Sequence, residues 1–266
     1  VLECVVNVSE GRRPSVIASM ADACGPALLD VHADPHHNRS VFTLVGEEAP
    51  RLLATAAVGA LDLRRHEGAH PRIGVVDVVP FVALSPGVDA RAARDAFAAW
   101  AASVLQVPVF LYGPERTLPD VRRRAFGELA PDLGPSSPHP TAGAMAVGVR
   151  GVLVAWNLWL APGVDVAEAK RLAASVRRRW PGVVRALGLA MGGQAQVSCN
   201  LVAPLTVGPG DVYDLVAATG APIDHAELVG LAPQAVLDAA GSERWERLGL
   251  SPEATIEARL RPRPTL

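Results

Sequence analysis

Lysine is all but missing from this 266-residue chain: Lys170 is the only one, and every other basic residue is arginine. A guanidinium fork grips a carboxylate at two points where an ammonium cannot, so these cations suit the oriented holding of anions. Cysteine is scarce as well. Cys4, Cys24 and Cys199 are odd in number, far apart and without a C-x-x-C pair, which excludes a disulfide framework and a cysteine zinc site. Half of the residues are hydrophobic, yet no apolar run reaches the roughly 18 residues of a membrane span. The nearest, Val152 to Leu160, is short and contains Asn157. A formal charge of -2 without a basic run argues against nucleic acid as the main partner. The amino terminus has no charged region leading into an apolar stretch, so the cytoplasm is the expected compartment.

A chain of this length can bury a sizeable core in one large domain or two small ones. Apolar and polar periodicity predicts a strand over 2–8, a helix over 15–23, strands over 27–31 and 40–45, a helix over 49–63 and a strand over 75–82. That order is β-α-β-β-α-β, the split βαβ arrangement. A helix from Asp89, its candidate cap, to Leu105 and a strand over 107–112 extend the first half. Residues 113–143 carry six prolines among interspersed arginines and read as an irregular connection around a short helix near 119–126. So long an irregular stretch inside a compact protein is usually functional or a linker. The second half repeats the order: strand 152–160, helix 166–178, strands 184–190 and 196–202, a helix from Asp211, as candidate cap, to Thr219, and strand 222–228. A short helix over 251–260 closes the chain. The expected fold is α+β, two ferredoxin-like (βαββαβ) α/β sandwich subdomains, spanning 1–143 with the connection included and 144–266.

The stretch His66-Glu67-Gly68-Ala69-His70-Pro71-Arg72-Ile73-Gly74 delivers two imidazoles and an arginine at the lip of a strand. It matches the H-E-x-x-H spacing of a zinc hydrolase. Such a site needs both histidines on one unbroken helix, and Gly68 and Pro71 oppose that helix. The metal-free alternative is a catalytic loop with one imidazole as acid or base and Arg72 as an anion clamp. His66 is expected to sit as a cation on the preceding helix end, leaving His70 for chemistry.

The block HEGAHPRIGVVDVVPF resembles the HKGEHPRMGALDVCPF-type block of glutamate formiminotransferases, folate enzymes that in vertebrates are fused to a cyclodeaminase. Six further blocks agree in order: Cys4 to Gly11, Asn38 to Gly46, Phe110 to Gly113, Gly134 to Ser137, Gln196 to Leu201 and Leu228 to Leu231. The resemblance spans nearly the whole chain. It implies transfer of a formimino group from N-formimino-L-glutamate to N5 of tetrahydrofolate, with tetrahydrofolate as co-substrate and no metal. The histidine given the acid and base role in that family falls on His70. Both substrates carry glutamate carboxylates, so Arg39 and Arg72 are candidate clamps, with Arg122 a weaker one. Asn7, Ser9, Glu10 and Asn38 are expected near the substrates, and Gly134, Pro135, Ser136 and Ser137 match the family's folate-contacting segment. Read in isolation, Asn7 to Glu10 and Gly134 to Ser137 would be turns.

Three positions depart from the family pattern. The carboxylate of its LDVDAG-type segment is His32 here, with Asp34 two residues later on the same face of a continuing strand. Either is a candidate catalytic residue. Ala69 replaces the Glu of EHPR, and Glu67 replaces the Lys of HKG. A neutral donor such as N-formylglutamate, or a folate- or metabolite-binding protein without turnover, is therefore an alternative. By resemblance the expected assembly is a homodimer, and with no cyclodeaminase following residue 266 a separate one is expected to act downstream.

Overall fold

A computed structural model describes residues 1–68 and 71–261, in two compact units, Val1–Arg150 and Gly151–Leu266. In the first, β1 (Leu2–Val8), α1 (Pro14–Cys24), β2 (Leu28–Asp34), β3 (Arg39–Val45), α2 (Glu48–Ala60) and β4 (Val76–Ala83) follow the predicted order. Their strands lie antiparallel as β2-β3-β1-β4, the ferredoxin-like arrangement. Then α3 (Ala90–Val104), β5 (Val109–Tyr112), α4 (Leu118–Arg124) and β6 (Met145–Val149) widen the sheet, β6 running parallel beside β4 and β5 parallel beside β6. Asp89 caps α3 as expected, accepting from Arg91 N and Ala92 N at 3.1 and 2.9 Å. The sequence pattern ended the first subdomain at 143 and missed β6. Pairing with β4 draws residues 145–149 into the first sheet, and the first unit extends to Arg150.

Strand alternation sends Cys4, Val6, Phe42, Leu44, Val79 and Phe81 to one face, where Met20 of α1, Leu53 of α2 and Phe97 of α3 complete a buried core. The opposite face of β4, β5 and β6 packs Val78, Phe110, Tyr112 and Ala146 against Val121 of α4. One irregularity shapes the candidate site. Val8 pairs with Val76 but Asn7 pairs with Val78, so Asp77 is an extra residue in a β-bulge. A bulge re-aims its side chains, and Asp77 reaches Arg122 on α4.

The second unit holds β7 (Val154–Leu160), α5 (Val166–Arg179), β8 (Val184–Met191), β9 (Gln194–Leu201), α6 (Pro209–Ala217) and β10 (Ile223–Val229), with strand order β10-β7-β9-β8. This is the same arrangement again, and the chain adopts the expected pair of ferredoxin-like sandwiches. Trp156, Leu158, Leu160, Val197 and Leu201 face the core with Leu172 and Val176 of α5. Here α6 starts two residues before the expected Asp211 cap, because Pro209 is pre-set for a first helical position. Asp211 reaches back to accept from Gly208 N at 2.8 Å. Two short helices follow, α7 (Gln234–Ala240), which the sequence pattern missed, and α8 (Ile256–Leu260). Among the described residues no helix is long and apolar enough to cross a membrane.

Candidate functional site

A small cleft opens at one edge of the first sheet, where β1 and β2 end and β3 and β4 begin. Ser9, His37, Asn38, Arg39, His66, Arg72 and Asp77 line it. Ser9, Asn38, Arg39 and Arg72 were candidates from the sequence. His37 and Asp77 were not. A lone acid inside the apolar run from Val75 to Phe81 was the available signal, since an unpaired carboxylate does not sit in a buried strand.

Backbone interlocking builds the cleft. Asn38 holds a left-handed conformation (φ 49), which Asn tolerates better than most residues. Its Oδ1 accepts from Gly11 N at 2.9 Å, and its Nδ2 donates to Glu67 O at 2.8 Å. The β2–β3 turn is thereby tied both to the end of β1 and to the His-rich loop. A Cβ on Gly11 would strike the backbone of Asp34 and Arg39, and one on Gly68 would lie 2.5 Å from His37 O. Glycine at these two positions lets the three segments approach. Ser9 Oγ donates to Gly74 O at 2.8 Å, and Ser40 Oγ to Glu10 O at 2.5 Å. Among the expected substrate contacts, Asn7 donates to Val5 O at 3.2 Å and does not line the cleft.

Arg72 donates through Nη1 to Gly68 O at 2.9 Å and through Nη2 to His66 O at 2.8 Å. It braces the loop as well as lining the cleft. His66 differs from expectation: α2 ends at Ala60, a single 3-10 turn covers Leu63–Arg65, and the ring bonds Asn38 O at 2.7 Å instead of resting on a helix end. A carbonyl only accepts, so Nε2 carries the proton and Nδ1 is the basic nitrogen. Burial lowers the His66 pKa, against the Asn38 bond and with help from Arg72. His66 is a neutral structural ring rather than a cationic cap. Residues 66–68 are not helical. The expected base His70, with Ala69, lies outside the described residues.

Asp77 is buried, accepts from Ile73 N at 2.8 Å and pairs with Arg122 Nη2 at 2.5 Å. Burial raises its pKa, while Arg122, the Ile73 N–H, Arg39 and Arg72 oppose the rise. Burial lowers the Arg39 pKa to about 10, with Asp77 and Asp34 pulling it up and Arg122 pushing it down. Arg39 therefore stays cationic at neutral pH. Three guanidiniums converge on one buried carboxylate, which leaves the cleft electropositive. Arg122, the weakest candidate from sequence, proves tied in, since its Nη1 also donates to Pro71 O at 2.5 Å.

Asp34 and His32 lie on β2 and pair with Arg39 and Val41 of β3. Asp34 Oδ1 accepts from His36 N at 2.7 Å and His37 N at 3.0 Å, closing the turn. Glu10 accepts from Arg12 N at 2.8 Å and from Arg13 N and Nε at 2.9 and 2.5 Å. Burial raises the Glu10 pKa, but those bonds outweigh it and hold the carboxyl below its ordinary 4.5. The stabilisation is complete above that value and is lost as pH falls through the lower folded value. The urea-midpoint difference between the parent chain and Glu10→Gln is accordingly expected to shrink as pH drops from about 5 to about 3. A constant difference would remove Glu10 from the acid response.

The proline-rich connection frames the cleft. Val75 N donates to Ala142 O at 2.9 Å, Ala144 N to Ile73 O at 2.9 Å and Leu63 N to Thr141 O at 2.7 Å. Gly134, in a left-handed conformation (φ 86), follows Leu133, which bridges to Val109 at the start of β5. Since β4, β6 and β5 are parallel, the segment Gly134-Pro135-Ser136-Ser137 leaves the sheet at the edge where the cleft opens, and its two serines are exposed. Among the described residues no group of three His, Cys, Asp or Glu is placed to hold a metal ion.

Residues 1–150 match the family described as "Formiminotransferase domain, N-terminal subdomain". The chain is 35% identical over 242 residues to the glutamate formimidoyltransferase of Streptococcus pyogenes, covering 76% of this chain and 77% of that protein. It is 32% identical over 278 residues to that of Thermoplasma acidophilum, covering 90% of each. Against the formimidoyltransferase-cyclodeaminase of Rattus norvegicus it is 35% identical over 281 residues, 90% of this chain but 51% of the relative. The chain thus spans about half the length of such longer relatives.

Proposed function

The chain belongs to the formiminotransferase family, and on that footing we propose that it moves a formimino group from N-formimino-L-glutamate to N5 of tetrahydrofolate. One observation carries the reading: similarity to glutamate formimidoyltransferases over most of both chains, with the family match covering the unit that holds the electropositive cleft. Arg39 and Arg72 give that cleft the charge to hold a substrate carboxylate. Asp77 and Arg122 fix its wall. His70 acts as general base on the N5 proton and as general acid toward the departing glutamate nitrogen, through a tetrahedral intermediate, and an imidazole titrating near neutrality serves both steps. A homodimer accompanies this reading on the family resemblance alone.

A second donor has a specific observation in its favour. His32 lies two register positions from Arg39 on the neighbouring strand, where the family pattern carries a carboxylate, so the local charge favours a neutral formyl group over a cationic formimino group. The deciding experiment offers tetrahydrofolate with both N-formiminoglutamate and N-formylglutamate and follows the folate product spectrally. Formimino transfer at the faster rate is expected. Faster formyl transfer would exchange the donor, and transfer from neither would reduce the chain to a binding protein.

A further inference from the structure

The loop that carries His66, His70 and Arg72 has no helix or strand of its own over residues 66–68 and 71–72, so its course is set by what holds its ends. Two consecutive peptide units do this. The peptide joining Thr141 to Ala142 accepts through its carbonyl from Leu63 N at 2.7 Å, just before the loop. The peptide joining Ala142 to Gly143 accepts from Val75 N at 2.9 Å, just after it. Both peptides give their own N–H groups to a single residue. Ala142 N donates to His139 Nδ1 at 3.0 Å, and Gly143 N donates to His139 O at 3.0 Å. Thr141 N makes a longer bond of 3.3 Å to the same Nδ1, and His139 N closes the turn on Gly143 O at 2.8 Å.

An Nδ1 that accepts carries no proton, which puts the proton of the His139 ring on Nε2. A peptide is one rigid plane with its N–H and C=O pointing opposite ways, so a group that holds the N–H also aims the carbonyl. The imidazole of His139 therefore aims the carbonyl that holds Leu63, while its main chain aims the one that holds Val75. Pro138 and Pro140 flank it, fixing the backbone on both sides and offering no N–H of their own to the ring. We propose that His139 is a positioning residue for the transfer reaction, its imidazole fixing the Leu63 end of the loop that presents His70. This rests on the reading of His70 as the acid and base of the transfer. A displacement of about 1 Å at a reacting group is enough to lower a rate severely, so a loop held by two carbonyls depends on both.

The test compares the parent chain with His139→Ala, which removes the acceptor, and His139→Asn, whose side-chain oxygen takes nearby backbone N–H groups in the same way. Transfer kinetics and amide exchange at Leu63 and Val75 are measured on all three. In His139→Ala, kcat is expected to fall about 10-fold with KM for both substrates little changed, because a displaced base costs turnover and not binding. Leu63 N is expected to exchange about 10-fold faster while Val75 N keeps the parent rate, since only the first anchor uses the ring. His139→Asn recovers most of both losses. A histidine that merely closes a turn would lower the melting temperature and leave kcat intact, or would speed exchange at Leu63 and Val75 alike, and either result overturns the proposal. So does a loss of kcat that His139→Asn fails to recover. Faster exchange at Leu63 alone, in a chain that transfers nothing, keeps His139 as the holder of the loop and sinks the transferase reading. Transfer abolished by His70→Ala but untouched by His139→Ala does the reverse.

Discussion

His70→Ala is expected to lower turnover with tetrahydrofolate by two or more orders of magnitude and to leave the melting temperature unchanged. In the transfer a secondary amine attacks the formimino carbon, so N5 sheds a proton and the glutamate nitrogen gains one before it leaves. Without a positioned base both transfers fall to solvent. The residues on either side of the loop are held at the cleft by described contacts: Glu67 O by Asn38, Gly68 O by Arg72, and Pro71 O by Arg122. None of these contacts uses an imidazole at position 70. The loss should accordingly appear in kcat, with KM for both substrates little changed, and steady-state kinetics beside a thermal melt separates the two. Near-normal turnover in the variant would remove His70 from the mechanism.

Asp77→Ala is expected to give the largest stability loss of any single substitution at the cleft, about 3–5 kcal/mol. Removing the carboxylate takes away the anion paired with Arg122, the larger of the two carboxylate attractions on the buried Arg39, and the acceptor for Ile73 N. At about 2–4 °C per kcal/mol for a domain of this size, the melting temperature should drop by roughly 10 °C. Asp77→Asn retains an acceptor for Ile73 N, so its smaller loss isolates the charge component. A drop of a degree or two in both variants would show that the arginines find other anions.

Much of the fold was legible because its signals are local. The βαββαβ order shows in apolar alternation over residues 2–8 and 40–45, in the helical spacing of 49–60, and in the same succession after residue 152. β6 was not legible. Met145–Val149 is a short apolar run behind a proline-rich stretch, and periodicity identifies a strand without naming the sheet it joins. Only its parallel pairing with β4, across more than 60 residues of sequence, decides that. The cleft divides similarly. Ser9, Asn38, Arg39 and Arg72 lie in motif-bearing stretches. Asp77 gains its meaning from Arg122, 45 residues further on, and from a bulge that only strand pairing reveals. His66 reads as a cation in the sequence because the apolar spacing runs three residues past the true end of the preceding helix at Ala60.

The proline-rich connection closes the cleft wall through contacts distant in sequence. β1 to β4 close within the first 83 residues through short turns and helical crossovers. The cleft wall waits for contacts far apart in sequence, Asp77 with Arg122, Leu63 with Thr141 and Val75 with Ala142. Loop closure over such separations is slow compared with hairpins and single helical crossovers. Native-state hydrogen exchange is accordingly expected to find residues 113–143 opening at lower free energy than β1 and β3.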